Sequence, residues 1–177
     1  MRSSIQRAQA WPVLHAHLLE ALSAERTATL TEIERQLSPD IGAVPRLGMN
    51  WDDVRRLRDD YPLMEIGGHS RGHIDLRRHG GAVAEQEVDG CIEDLRRELG
   101  RKATLFAYPY GRWSTPVRSM VESHGMRVAL GASDALRVGS GSDLFNLPRI
   151  EAPTSMAKLS FQTSGAYPGS LILFGKR

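Results

Sequence analysis

Hydrophobic and polar positions along the chain form a pattern that predicts helices separated by short strands. Apolar residues recur every three or four positions over about 82–99, and Gly100 follows, as is typical of an amphipathic helix and its end. Two shorter apolar runs, at 104–108 and 127–130, have the length and composition of buried strands. A helical pattern at 115–124, opened by Thr-Pro, separates them. The alternation of helices and strands predicts an α/β fold.

The N-terminal part of the chain carries helical patterns only. Residues around 13–23 and 28–37 are interpreted as two helices, closed by Ser-Pro-Asp and a loop that contains glycine and proline. We assign them to an N-terminal helical segment, 1–48. It precedes the region 49–177, and together the two form a single domain.

A helix and a strand follow this segment. Asn50 is suited to cap a helix that ends near Asp60, because acidic residues in the first turn favour its exposed N–H groups. The apolar run 63–66 predicts a strand, and Gly67-Gly68 lets the backbone turn tightly at its end. A last apolar run, 171–174, predicts another strand.

Composition and charge exclude several classes of protein. The 177 residues have a formal net charge of +2, and arginines alternate with acidic residues as on solvated helix faces, so we expect no nucleic-acid binding. No apolar stretch is long enough to span a membrane and no signal region opens the chain, which predicts a cytoplasmic protein. The single cysteine, Cys91, lies in a helical apolar pattern and is predicted to be a buried packing residue.

Two histidines follow the predicted strand at 63–66. His69 and His73 are four residues apart, a spacing at which two imidazoles can share a divalent metal, with Ser70 or the backbone orienting a ring. Such pairs also occur by chance on exposed turns. The sequence YPYGRW, 108–113, follows the next strand, and the C-terminal ends of parallel strands meet at one edge. We therefore expect both stretches at the same rim.

Four segments in order resemble a known family. IGGHSRGHIDL resembles the H-[ST]-x-x-H motif of the NodB-homology polysaccharide deacetylases, carbohydrate esterase family 4. LFAYPYGRW resembles that family's aromatic-Pro-[FY]-Gly turn, VESHGMRVALGAS its next helix and strand, and LFNLPRIEAP its Leu-Pro-Arg-Ile segment. The likeness spans roughly residues 49–152.

The resemblance implies a fold and a chemistry. The fold would be a partial or deformed (β/α) barrel, and the reaction would remove acetyl groups from N-acetylated sugar polymers or oligomers. In this family a divalent cation, usually Zn²⁺, is held by one Asp and two His. A second Asp acts as base and a later His as acid. His69 and His73 match the metal ligands, and Tyr110 matches the position whose backbone N–H helps to hold the oxyanion.

Neighbouring residues of the turn are expected to shape the site and contact substrate. By the same resemblance these are Tyr108, Pro109, Gly111 and Trp113. Without the family, Tyr108 and Tyr110 would be ordinary aromatics at a strand end.

The chain also departs from the family pattern. No strand ending in Asp-Asp precedes His69, Ala107 stands where many members carry Arg, and no histidine follows His124. We interpret His124 as a helix-end residue and the chain as shortened at its N-terminus, with its helices or a second copy of the chain covering the exposed edge. Three functions stay open: a metal-dependent deacetylase, a catalytically impaired remnant that binds saccharide or metal, and an amidohydrolase of small amides.

Overall fold

Helices outnumber strands in the computed structural model, which describes residues 4–40, 42, 45–132, 138–149 and 153–164. The two strands are short and are separated by one helix. In chain order the elements are α1 (Ser4–Glu20), α2 (Ser23–Leu37), α3 (Trp51–Asp60), α4 (Leu76–His79), α5 (Gly81–Leu99), β1 (Leu105–Ala107), a 3₁₀ turn (Pro109–Gly111), α6 (Thr115–Ser123), β2 (Val128–Leu130) and α7 (Met156–Thr163). The predicted α/β class is confirmed.

The sheet is small and parallel. β1 pairs with β2 in parallel, with Phe106 opposite Ala129. Single parallel bridges extend it on both sides, from Gly68 to Phe106 and from Leu130 to Leu147. Four chain segments therefore run side by side in the same direction, and α5 and α6 connect three of them, as in consecutive βα units.

The predicted strand at 63–66 is wrong. Leu63 is fully exposed and Met64 is half exposed, while Ile66 at the end of the run is partly buried against the core. The sheet contact is made two residues later by the glycines. A Cβ on Gly67 would lie 2.7 Å from the Leu105 carbonyl oxygen, and one on Gly68 would lie 2.8 Å from the Phe106 ring. Only residues without a side chain approach β1 this closely.

One core joins the sheet to the helices that follow it. The amphipathic face predicted for α5 is confirmed, because its apolar side chains pack against β1, β2 and α6. Gly100 ends α5 in the left-handed conformation, φ 68°. The buried residues of this core include Ile74, Leu76, Val88, Cys91, Leu95, Phe106, Tyr108, Val117, Val121 and Ala129.

The predicted cap of α3 is also confirmed. The Asn50 side chain accepts from the Asp53 N–H at 2.9 Å, and the Asp53 carboxylate accepts from the Asn50 N–H at 3.0 Å. Hydrogen bonds from the Arg46 side chain and the Asn50 backbone lower the pKa of Asp53 to about 2. Arg55 joins α3 to the end of α5 through Glu98 at 2.9 Å.

The two N-terminal helices begin earlier than predicted. α1 covers Ser4–Glu20 where the pattern indicated 13–23, and α2 covers Ser23–Leu37 where it indicated 28–37. No residue of α2 is buried, so this hairpin lies on the surface of the molecule. The sequence did not predict α4 or α7, and the strand predicted at 171–174 lies outside the described residues. No described helix is long and apolar enough to cross a membrane.

Candidate active site

His69 lies at the edge of the sheet, immediately after the Gly68 bridge to β1. Its Nδ1 donates a hydrogen bond to the Ala107 carbonyl oxygen at 2.6 Å. That bond fixes the ring and its tautomer, and it leaves the lone pair of Nε2 available as a ligand. A backbone carbonyl at the end of β1 thus orients this histidine.

His73 lies against His69. The two ring centroids are 4.7 Å apart and the rings meet edge to face at 75°. Burial of the ring, and then the neighbouring His69 imidazole, lower the pKa of His73 below its ordinary value. The ring is therefore neutral near pH 7, which is the form that binds a metal ion.

The Tyr110 turn closes the site from the other side. The Tyr110 ring is 4.8 Å from the His73 ring, and its hydroxyl lies 3.3 Å from His73 Nδ1. Tyr110 has φ 56°, and its backbone N–H donates to no other described residue. Pro109 and Gly111 are buried on either side, and a Cβ on Gly111 would lie 2.5 Å from Ala132 Cβ. The expected rim thus brings both histidines and this turn together.

Backbone strain is concentrated at this rim. Four described residues other than glycine have positive φ, and three of them are Ser70, His73 and Tyr110. Each such residue costs free energy, and strained residues of this kind cluster at functional sites. The concentration supports a functional role for these loops.

Ser70 or the backbone was expected to orient a histidine ring, and of the two it is a backbone carbonyl, that of Ala107, that does so. The Ser70 hydroxyl is buried without a hydrogen-bond partner among the described residues, and the φ of Ser70 is 58°. We expect Ser70→Gly to raise the free energy of unfolding by roughly 0.5–1 kcal/mol, because glycine adopts this backbone without a Cβ penalty and removes an unsatisfied hydroxyl. Guanidinium unfolding followed by circular dichroism measures the change. A lower free energy of unfolding in Ser70→Gly would contradict the inference that the backbone at Ser70 is strained.

Asp75 is the described carboxylate nearest to His73 in sequence, and it is already engaged. It caps α4 by accepting from the N–H groups of Arg77 and Arg78, and it pairs with Arg112 at 2.9 Å. Burial acts to raise the pKa of Asp75, but the hydrogen bonds from Arg112 and the backbone lower it below its ordinary value. Asp75 is thus an ionised structural group that holds the turn after His73 to the turn after Tyr110.

Tyr108 does not contact the open rim. Its side chain is completely buried, 5.6 Å from the Phe106 ring, and its hydroxyl has no partner among the described residues. Burial raises the pKa of Tyr108 to about 12. The expectation that Tyr108 binds substrate is therefore corrected: the ring supports the turn from below. Trp113 is partly buried, and its Nε1 donates to the Asn146 side chain at 2.9 Å.

His124 lies away from the rim. Nδ1 donates to the Met120 carbonyl at the end of α6, as expected for a helix-end residue, and Nε2 pairs with Asp89 on α5. The sequence did not indicate this second contact, because Asp89 is 35 positions away. His124 therefore joins α5 to α6.

The donor set fits two positions of a divalent metal site. The rings of His69 and His73 lie side by side, and imidazole nitrogens are ligands that Zn²⁺ accepts. Within the described part of the chain, no group of three His, Cys, Asp or Glu side chains is arranged to hold a metal ion. Cys91 is directly beneath, facing the backbone N–H of His69, and burial raises the pKa of its thiol. It is a packing residue, as predicted.

A groove leads away from Tyr110 along α1. Its volume is about 260 Å³. Arg78 spans it to pair with Glu20 of α1 at 3.0 Å. The groove is lined by Ala16, Leu19, Glu20, Asp75, Arg78, His79, Tyr110 and Arg112. Paired charges beside an aromatic ring offer hydrogen-bond donors and acceptors to a polar ligand.

Comparison with known proteins identifies the family. Residues 18–129 match the model of the polysaccharide deacetylase family. A chitooligosaccharide deacetylase of Azorhizobium caulinodans is 27% identical over 131 residues, which cover 68% of this chain and 56% of that protein. The chain thus spans about half the length of this curated relative.

Solved structures support the same fold. A crystal structure of a polysaccharide deacetylase from Bacillus cereus aligns with a TM-score of 0.52 at 16% identity, over 71% of this chain and 43% of that one. At this identity the alignment is a likeness of fold alone. The family match extends over more than half of the chain, from within α1 to β2. The chain belongs to the polysaccharide deacetylase family.

Proposed function

We propose that this chain forms the histidine-bearing part of a metal-dependent hydrolase that removes acetyl groups from N-acetylated saccharides. The observation that carries the proposal is the arrangement of two imidazoles at the sheet edge. The rings of His69 and His73 are 4.7 Å apart, and the Ala107 carbonyl engages Nδ1 of His69, which leaves Nε2 as the ring's other ligand atom. The relative from Azorhizobium caulinodans, named as a chitooligosaccharide deacetylase, supports the substrate class.

Hydrolysis of an acetamide adds water to the carbonyl carbon, breaks the C–N bond and yields acetate and an amine. A divalent cation such as Zn²⁺, when bound, would polarise the carbonyl and lower the pKa of a coordinated water. His69 and His73 would hold it. The N–H of Tyr110, which donates to no other described residue, would donate to the carbonyl oxygen as that oxygen gains negative charge. Arg112 and Asp75, paired at 2.9 Å, would keep this turn in position.

The groove beside Tyr110 is the proposed binding place of the saccharide. We propose that the residue next to the reacting acetamide lies against Tyr110 and Trp113, with Pro109 and Gly111 shaping the turn beneath. Support comes from the partly exposed rings of Tyr110 and Trp113, because aromatic faces pack against sugar rings.

We propose further that the sheet is an arc of a deformed (β/α) barrel. Its four parallel segments are Gly68, β1, β2 and Leu147, in that order across the sheet. Helices α5 and α6 connect the first three, which is the alternation a barrel requires. A second copy of the chain covering the edge at Gly68 stays a prediction, which size-exclusion chromatography tests.

The test is acetate release from chitooligosaccharides with added Zn²⁺. We expect slow turnover that disappears with a chelator and in His69→Ala and His73→Ala. It should be slow because no described carboxylate completes the histidine pair, and each general acid or base commonly contributes about 10²–10⁴-fold. Acetate release that survives both histidine substitutions would contradict the proposal.

Binding without turnover would favour the second function, a remnant that binds saccharide or metal. Isothermal titration with chitooligosaccharide and with Zn²⁺ separates the two functions. The present support for the remnant is the same lack of a third ligand beside His69 and His73 among the described residues. Turnover of a small amide but not of the oligosaccharide would favour the amidohydrolase.

A further inference from the structure

Arg26 of α2 binds the backbone at three places. Its Nε donates to the Leu18 carbonyl at 2.9 Å and its Nη2 to the Ala21 carbonyl at 3.2 Å, which closes the turn between α1 and α2. Its Nη1 donates to the Gly72 carbonyl at 2.7 Å, 46 residues away. A guanidinium holds several acceptors in fixed directions. The N-terminal hairpin is therefore attached to the loop that carries His69 and His73.

The other side of Gly72 is held as well. Its N–H donates to Glu87 Oε2 of α5 at 2.5 Å, and Glu87 Oε1 accepts from Ser23 at 3.4 Å. A Cβ on Gly72 would lie 2.2 Å from Ser23 Oγ. Glycine at this position thus allows α2 to reach the loop, and the loop is clamped between α2 and α5.

This clamp acts on the residue that follows. His73 has φ 53°, a conformation that is uncommon for residues other than glycine and costs free energy, so the surrounding structure must hold it. The Gly72 carbonyl belongs to the peptide unit that leads into His73, so a bond to this carbonyl limits rotation of that unit. The direction in which the His73 imidazole leaves the backbone depends on the same rotation.

We propose that Arg26 is a positioning residue that holds the Gly72 peptide so that the imidazole of His73 meets the same cation as that of His69. The inference rests on the proposed function, since it presumes the metal site. Arg26 does not touch the cation or the substrate. It acts through the backbone, and α2 thereby becomes part of the site.

The first measurement is the affinity of the full chain for Zn²⁺ in competition with a chromophoric chelator. We expect Arg26→Gln to weaken binding roughly 10–100-fold, the loss typical of removing a partner that orients a metal ligand. Arg35→Gln is the matched control, because Arg35 is on the same helix and the substitution removes the same charge. Among the described residues, Arg35 pairs with Glu32 of its own helix and with no residue of the histidine loop. That variant should bind as the native chain does.

The second measurement needs no metal. Amide hydrogen exchange of the metal-free chain should be faster at Gly72 and His73 in Arg26→Gln, and unchanged there in Arg35→Gln. A general loss of stability would instead raise exchange throughout the core. Arg26→Lys keeps the charge but lacks the planar fork that reaches three carbonyls, so we expect an affinity between those of Arg26→Gln and the native chain. It also serves as the test variant if Arg26→Gln does not fold.

Outcomes separate this inference from the proposed function. If the native chain binds Zn²⁺ through both histidines and the Arg26 variants bind it equally well, the inference is overturned and the metal site stands. If the native chain binds no Zn²⁺, the proposed function and the inference are both overturned. Weakened binding with exchange raised only at the loop supports the inference.

Discussion

Alanine in place of His69 or His73 should weaken the binding of Zn²⁺ more than any other single substitution in the chain. We expect each loss to exceed the 10–100-fold that is typical of removing an outer partner, because each substitution removes a metal ligand itself. The two rings are 4.7 Å apart, so each removal leaves a single imidazole at the site. Competition with a chromophoric chelator at pH 7.5 measures both affinities.

His79 provides the control for this experiment. It belongs to α4 and lines the groove beside Tyr110, away from the pair of rings. We expect His79→Ala to bind Zn²⁺ as tightly as the native chain. Equal losses in all three variants would indicate a nonspecific cluster of histidines and would contradict the site.

Truncation of Phe106 should have the largest effect on stability. Its side chain is 1% exposed, lies at the centre of β1 and is the surface on which Gly68 rests. We expect Phe106→Ala to lower the free energy of unfolding by about 3–5 kcal/mol, the usual cost of such a cavity. That is a large share of the total stability of a domain of this size. Guanidinium unfolding followed by circular dichroism measures the change.

A second readout ties this substitution to the site. His69 follows Gly68, so loss of the Phe106 ring should also loosen the histidine loop and weaken Zn²⁺ binding. Leu63→Ala is the control, because Leu63 is completely exposed on the approach to the same loop. It should change stability by less than about 0.5 kcal/mol. Similar losses in the two variants would argue against the described packing.

Elements with strong local signals were predictable from the sequence. α3 and α5 agree with prediction to within a residue or two, since Asn50 caps the first and Gly100 ends the second. The parallel strands were found as short apolar runs, although both are shorter than predicted. In each case the information is in neighbouring residues, where helix caps, periodicity and turns are encoded.

Features that depend on distant residues were not predictable. The run at 63–66 is as apolar as a strand, yet its place in the sheet is taken by Gly68, and only contact with Phe106 decides this. The burial of Tyr108 depends in the same way on β1 and the rings around it. Hydrophobicity alone does not determine which segment pairs with a strand or which side chain is buried.

The site was predictable in its side chains and not in its backbone contacts. The spacing of His69 and His73, and the position of the Tyr110 turn after the next strand, indicated one rim, and the structure brings them together. The Ala107 carbonyl that orients His69 and the Gly72 carbonyl that binds Arg26 carry no sequence signal. Every residue has a backbone carbonyl, so the sequence does not show which carbonyl accepts a hydrogen bond from a distant side chain.

The position of Cys91 allows its thiol to report local opening behind the histidine loop. Cys91 is 8% exposed and its thiol lies behind the backbone of His69, where burial raises its pKa. A disulfide reagent therefore reaches the reactive thiolate when this region opens. Because the chain has a single cysteine, the colour released by such a reagent has one source. The rate of labelling therefore reports local opening of the region behind the histidine loop, and no engineered probe is needed.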